Sequence, residues 1–101
     1  VRAVPEDEVS FIGGDFNAHE TAPQMAALRE TWGDAFRAIH PTGDGATHEL
    51  RLFGRVLSLR RLDYLFLAQQ HPKIRVVNCD LSRPGEAFSD HRAVVGVFGG
   101  L

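Results

Sequence analysis

Three short stretches of this chain concentrate the side chains that do chemistry: Gly14-Asp15-Phe16-Asn17, Arg61-Leu62-Asp63-Tyr64-Leu65-Phe66 and Ser89-Asp90-His91. Each sets a carboxylate, amide or imidazole at the start or end of an apolar run. Taken together, Asp15, Asn17, Asp63, Asp90 and His91 form an oxygen-rich set with one imidazole. Such a set suits a hard divalent cation such as Mg2+ better than zinc or copper. It also suits phosphoryl chemistry, in which a cation neutralises phosphate charge while a carboxylate or imidazole manages the proton of an attacking water.

Each of these residues also has a purely structural reading. Asp15 and Asn17 follow a strand, where Asp and Asn commonly end structure by bonding to nearby backbone. If the strand continues, their i, i+2 spacing puts both side chains on one face. Asp63 interrupts an otherwise apolar strand and needs a partner, an imidazolium or an arginine. Asp90 and His91 are adjacent, so both can point inward only from a turn. The remaining histidines, His19, His40, His48 and His71, read as surface or core residues.

The elements that must position these groups are legible in the apolar pattern. Val9-Ser10-Phe11-Ile12 reads as a buried strand that stops at Gly13-Gly14. Thr21-Ala22-Pro23-Gln24 has the form of a capping box with Pro in the first turn. Met25, Leu28 and Trp32 then recur at helical spacing, which predicts a helix over residues 22–32. Gly33 supplies its stop, and Asp34 caps a short second helix carrying Phe36 and Ile39 before Pro41. Residues 41–48 form a loop around Gly43, Asp44 and Gly45, and further strands are predicted at 61–67, 74–80 and 92–98. The order implies a mixed α/β layer structure whose helices cover one face of a sheet that needs more strands than this chain supplies.

Composition bounds the reading. With 101 residues, 44% of them hydrophobic, and a formal net charge of -2, the chain is globular in character rather than disordered. No apolar run approaches the roughly 20 residues of a membrane-crossing helix, so no transmembrane segment is expected. The first residues, Val1-Arg2-Ala3-Val4-Pro5-Glu6, have neither an initiator Met nor a signal-peptide profile, and read as the interior of a longer protein. Cys79 is the single cysteine, which excludes an intramolecular disulfide; in Val76-Val77-Asn78-Cys79 it reads as a buried strand thiol. Trp32 and Tyr64 read as core. Arg51, Arg55, Arg60 and Arg61 fall in residues 50–62 with no acidic residue between them, a local cationic patch for which nucleic acid is a candidate partner.

The three stretches, the last extended through Arg92-Ala93-Val94-Val95, resemble the GDFN, R-I/L-D-Y-I/L-F and SDHRPVV motifs of the endonuclease/exonuclease/phosphatase superfamily. They occur in the family's order and span residues 11–98. The resemblance implies the C-terminal half of a deoxyribonuclease I-like fold, a partial four-layered α/β sandwich, with residues 1–101 as the C-terminal portion of one domain. It implies a metal-dependent phosphoesterase, a phosphodiesterase or nuclease, using Mg2+ or, in its place, Mn2+. It makes Asp15 a residue that orients the attacking water and shares the metal, and Asn17 a donor to the substrate phosphate. His91 becomes the histidine that contacts the scissile phosphate and exchanges a proton, Asp63 its carboxylate partner, and Asp90 a metal-site carboxylate.

Departures from the family pattern sharpen the expectation. The family's first metal ligands, an Asn and the Glu of a Gln-Glu motif, lie well upstream of GDFN. Here only fourteen residues precede Asp15, and Glu6, Asp7 and Glu8 lie too close to the Val9 strand to stand in for them. Ala93 occupies a position where the family often has Pro. The implied partner is therefore the N-terminal half of the same domain. The chain alone is expected to show little or no turnover and to self-associate through uncovered sheet faces. The other functions the resemblance allows are a non-catalytic scaffold or interaction module and a phospholipid or inositol phosphate phosphoesterase.

Overall fold

The computed structural model describes residues 10–68, 74–83 and 90–100. In chain order its elements are β1 (Phe11–Asp15), α1 (Pro23–Arg29), β2 (Trp32–Asp34), α2 (Ala35–Ile39), β3 (His48–Leu52), β4 (Arg55–Arg60), β5 (Asp63–Ala68), β6 (Ile74–Leu81) and β7 (Val94–Gly100). The result is a mixed α/β domain of mostly antiparallel strands with few helices. Among the described residues no helix is long and apolar enough to cross a membrane.

β5 organises the rest. It is the middle strand of the sheet β1-β5-β2, antiparallel to both neighbours. Its strict alternation sends Tyr64, Phe66 and Ala68 to one face and Asp63 and Leu65 to the other. The first face builds a core with Ala18, Met25 and Trp32, Met25 being the buried residue of α1. The second packs Leu65 into a core formed by Ala35 and Phe36 of α2, Cys79 of β6, and Val94 and Phe98 of β7. Gly96 belongs to this contact, because a Cβ there would stand 2.6 Å from Leu65 Cδ2. The β6–β7 register shifts between Val76 and Asn78, so that Val76 and Cys79, an odd number of residues apart, both reach the core. The outward side of this pair leaves Val77, Val95 and Val97 exposed.

Several sequence expectations are corrected. α1 ends at Arg29, and Trp32–Asp34 is a strand paired with β5, Trp32 lying opposite Ala68. Trp32 still enters the core, but the open edge of β5 satisfies the backbone of 32–34 better than another helical turn containing Gly33 would. Pro23 does take the first helical position, yet the capping box does not form: the N-cap is Ala22, with no side-chain cap bond. Asp34 caps α2 as expected, accepting from the Arg37 backbone N–H at 3.4 Å. The stretch 48–60 is a hairpin, β3–β4, joined by Phe53 and Gly54, both at positive φ (50° and 77°). Phe53 is 95% exposed at its tip.

The cationic patch also dissolves in part. Arg61 is buried, its guanidinium clamped on Asp34 through bonds of 2.7 and 2.6 Å and lying over the rings of Tyr64 and Phe36. Glu20 joins this network from the surface side, pairing with Arg37 and, at 3.2 Å, with Arg61. The Arg37 hydrogen bond is the main reason the Glu20 carboxyl sits below its usual range. Arg51 is paired with Glu49.

Candidate active site

Antiparallel pairing of β1 with β5 sets Asp15 directly opposite Asp63 at the end of the ladder. Residues so paired share a face, and two carboxylates there repel unless positive charge stands beside them. His91 supplies it. Backbone bonds stitch the segment before β7 to the start of the hairpin: Arg92 N–H donates to Thr47 C=O at 2.7 Å, and His48 and His91 form an isolated bridge. The His91 ring thereby reaches Asp63, Nδ1–H donating to Oδ2 at 2.5 Å.

Thr47 locks this pair from the other side. Its buried hydroxyl donates to the same Asp63 Oδ2 at 2.6 Å and accepts from the backbone N–H groups of Leu62 and Asp63 at 3.2 and 3.1 Å. With Asp63 19% exposed and His91 24%, the bond is partly shielded from water. The hydrogen bond to Asp63, helped by the charges of Asp63, Asp15 and Asp90, holds the His91 imidazole above its ordinary pKa against the opposing effect of burial. The partner that the sequence required for Asp63 is thus the His91 imidazole, whose protonated form the pairing favours.

The other expected residues are placed as follows. Asp15 lies with Asp63 and His91 in one group whose ligand atoms are all within 4.8 Å of each other. Its Oδ1 also accepts from the Asn17 N–H at 2.8 Å, so it ends the strand as well. That turn puts Asn17 at φ 47°, and the side-chain amide of Asn17 makes no hydrogen bond among the described residues; the shared face expected from i, i+2 spacing is lost because β1 stops at Asp15. Asp90 stands on the opposite side of His91 and, contrary to the inward orientation expected, is 78% exposed. The carboxylate lies 3.9 Å from His91 Nε2 and 3.6 Å from His48 Nε2. Asp15 and Asp90, the two expected metal carboxylates, therefore flank His91 in separate groups.

Beside Asp63, a cleft of about 230 Å³ has walls that include Gly13, Gly14, Leu65, Arg92 and Val94. Three sequence-level readings of histidines and aromatics hold: His40 bonds Cys79 C=O at 2.8 Å and stacks on Phe36, while Trp32 and Tyr64 are buried. Burial pushes the Tyr64 hydroxyl up to about 12, and it stays a donor toward the carbonyls of Ala18 and Arg61. Cys79 is fully buried, with its thiol pushed up by desolvation. His71 and Ser89 lie outside the described residues. Thr47 and His48 were missed from sequence: a threonine before a hairpin carries no signal until its strand is docked on Asp63. Against known protein families, curated proteins and solved structures, the chain finds no match.

Proposed function

We propose that this chain carries the phosphate-binding and proton-handling part of a metal-dependent phosphoesterase of the endonuclease/exonuclease/phosphatase superfamily, with a deoxyribonuclease I-like sandwich as the complete fold. The observation that carries the reading is the Thr47–Asp63–His91 relay beside Asp15. A carboxylate fixed by a hydroxyl holds an imidazole in one orientation and favours its protonated form, through a bond at Nδ1 rather than Nε2. An imidazolium so held binds a phosphate oxygen and can give its Nε2 proton to a departing alkoxide. Asp15, exposed at the end of β1, accepts a hydrogen bond from an attacking water and orients it. Asn17, next along the chain, donates to the phosphate.

Asp15, Asp63 and Asp90 place three carboxylates around one imidazolium, a surplus of negative charge that a hard divalent cation complements. Asp15 and Asp90, on the two sides of His91, would each offer an exposed carboxylate to Mg2+ or Mn2+, and a bound ion would offset the charge of the phosphate oxygens. The N-terminal half of the domain is the proposed partner, and the exposed Val77, Val95 and Val97 offer apolar surface for it.

The test is hydrolysis in Mg2+ by a protein that joins this chain to its upstream half, screened against plasmid DNA, an abasic oligonucleotide, sphingomyelin and inositol phosphates. One of these is expected to turn over at a rate that falls at least about a hundredfold in His91→Ala. No turnover of any of them, or turnover indifferent to His91→Ala and Asp63→Asn, overturns the reading.

A further inference from the structure

His48, absent from any role so far, lies against the back of the relay. Its Nε2 is 3.6 Å from Asp90 Oδ2, and the ligand atoms of His48, Asp90 and His91 all lie within 4.8 Å of one another. The two rings sit 4.9 Å apart between centroids, on backbones pinned together by the bridge between residues 48 and 91. The sequence set held one imidazole; the docked hairpin brings a second. Two imidazoles and a carboxylate are no longer a hard donor set, and they suit borderline ions of the zinc and cobalt type.

We infer that His48, Asp90 and His91 form a binding site for a borderline divalent transition ion, Zn2+ being its representative. With bonds near 2.0–2.1 Å, donors around tetrahedral zinc stand roughly 3.3–3.4 Å apart. The two arms to Asp90, at 3.6 and 3.9 Å, need to close by only a few tenths of an ångström, and the Asp90 carboxylate is 78% exposed. The third side closes by rotation of the two rings. The second shell is already built: a zinc-bound histidine donates its other ring N–H to a carboxylate, and His91 Nδ1–H does so to Asp63, itself held by Thr47. Three protein donors leave the fourth position for water.

Two features oppose the ion: coordination needs a neutral His91 ring, whereas the bond to Asp63 favours its protonated form, and Arg60 crowds His48. Arg60 approaches His48 Nδ1 at 3.4 Å, and since arginine only donates, a neutral His48 in that contact carries its proton on Nε2. An ion on Nε2 moves the proton to Nδ1 and displaces the guanidinium, a single long contact on an exposed side chain. This site shares Asp90 and His91 with the phosphoesterase reading, but its test is separate, because metal binding is read without substrate. On that reading, an ion seated here would withdraw His91 Nε2 from phosphate and act as an inhibitor.

The experiment is a Zn2+ titration of the 101-residue chain followed by histidine side-chain 15N spectra, with affinity taken from competition against a chromogenic chelator. His48 and His91 Nε2 resonances are expected to shift while His19, His40 and His71 stay in place. His48→Ala should weaken Zn2+ about tenfold or more. Arg60→Gln should tighten it several-fold, because Gln can accept from Nδ1–H. If His48→Ala loses the native spectrum, Asp90→Asn, at an exposed side chain, is expected to give the same loss of affinity. Shifts at His19, His40 or His71 instead, or Zn2+ affinity unchanged in both His48→Ala and Asp90→Asn, overturn the inference.

Discussion

Replacing Arg61 with Met tests the largest electrostatic commitment in the fold. The guanidinium is 1% exposed and makes two bonds to an Asp34 carboxylate that is 4% exposed. Met keeps most of the aliphatic volume, so little cavity opens, but Asp34 keeps only the long bond from the Arg37 N–H. Glu20, by contrast, retains Arg37. Removing one partner of a buried pair costs about 3–5 kcal/mol, because the remaining charge stays desolvated. A domain of this size has on the order of 5–15 kcal/mol in all. Trp32, the single tryptophan and itself buried, reports the loss in urea unfolding followed by fluorescence. Asn at position 34 preserves the helix cap while removing the stranded charge, so adding Asp34→Asn to Arg61→Met should recover stability, with a coupling of roughly 0.5–3 kcal/mol. A cost for Arg61→Met below about 1 kcal/mol, typical of an exposed arginine, would refute the assignment, as would strict additivity of the two changes.

Three further outcomes follow from the same coordinates. Thr47→Val removes one of the two donors to Asp63 Oδ2 and strands the backbone N–H groups of Leu62 and Asp63, so it should cost about 1–3 kcal/mol in urea unfolding, whereas Thr47→Ser should be close to neutral. Because the folded pKa of His91 is raised, its ion pair with Asp63 contributes stability fully below the ordinary value of about 6.5 and loses it as pH rises through the raised folded value. The penalty of Asp63→Asn should therefore shrink on raising pH, and an NMR titration should show the His91 midpoint moving down in that variant; a pH-independent penalty would contradict this. Phe53→Asn creates the Asn-Gly pair that two-residue hairpins favour and relieves an aromatic residue held at φ 50°, so the melting temperature should rise by the equivalent of about 1 kcal/mol.

What sequence patterning could and could not convey is plain from individual residues. β5 was legible because residues 62–67 are an apolar run interrupted only by Asp63, and the need of Asp63 for a cationic partner follows from burying a carboxylate in such a run. The residues alone left that partner open between an imidazolium and an arginine, and only the resemblance named His91, since the pair depends on 27 intervening residues folding so that Arg92 bonds Thr47. Trp32 illustrates the opposite failure: its helical spacing from Met25 and Leu28 is real, and both Met25 and Trp32 are core, yet pairing with β5 decided the backbone. Arg61 was grouped with its exposed neighbours because residues 50–62 hold no acid; its counterion, Asp34, lies 27 positions away. His48 was set aside for the same reason, its neighbours in space being absent from its neighbourhood in sequence.

The measurement that most directly tests the central claim is phosphodiester binding by the 101-residue chain in Mg2+, followed through the His91 ring resonances as bis(4-nitrophenyl) phosphate is added. Binding needs no turnover and so does not depend on the upstream half supplying its ligands. The account predicts a saturable shift of the His91 ring that is weakened in Asp63→Asn and in Asp15→Asn, and no saturable binding in His91→Ala. A His91 ring indifferent to the phosphodiester, or equal binding by wild type and His91→Ala, would contradict it.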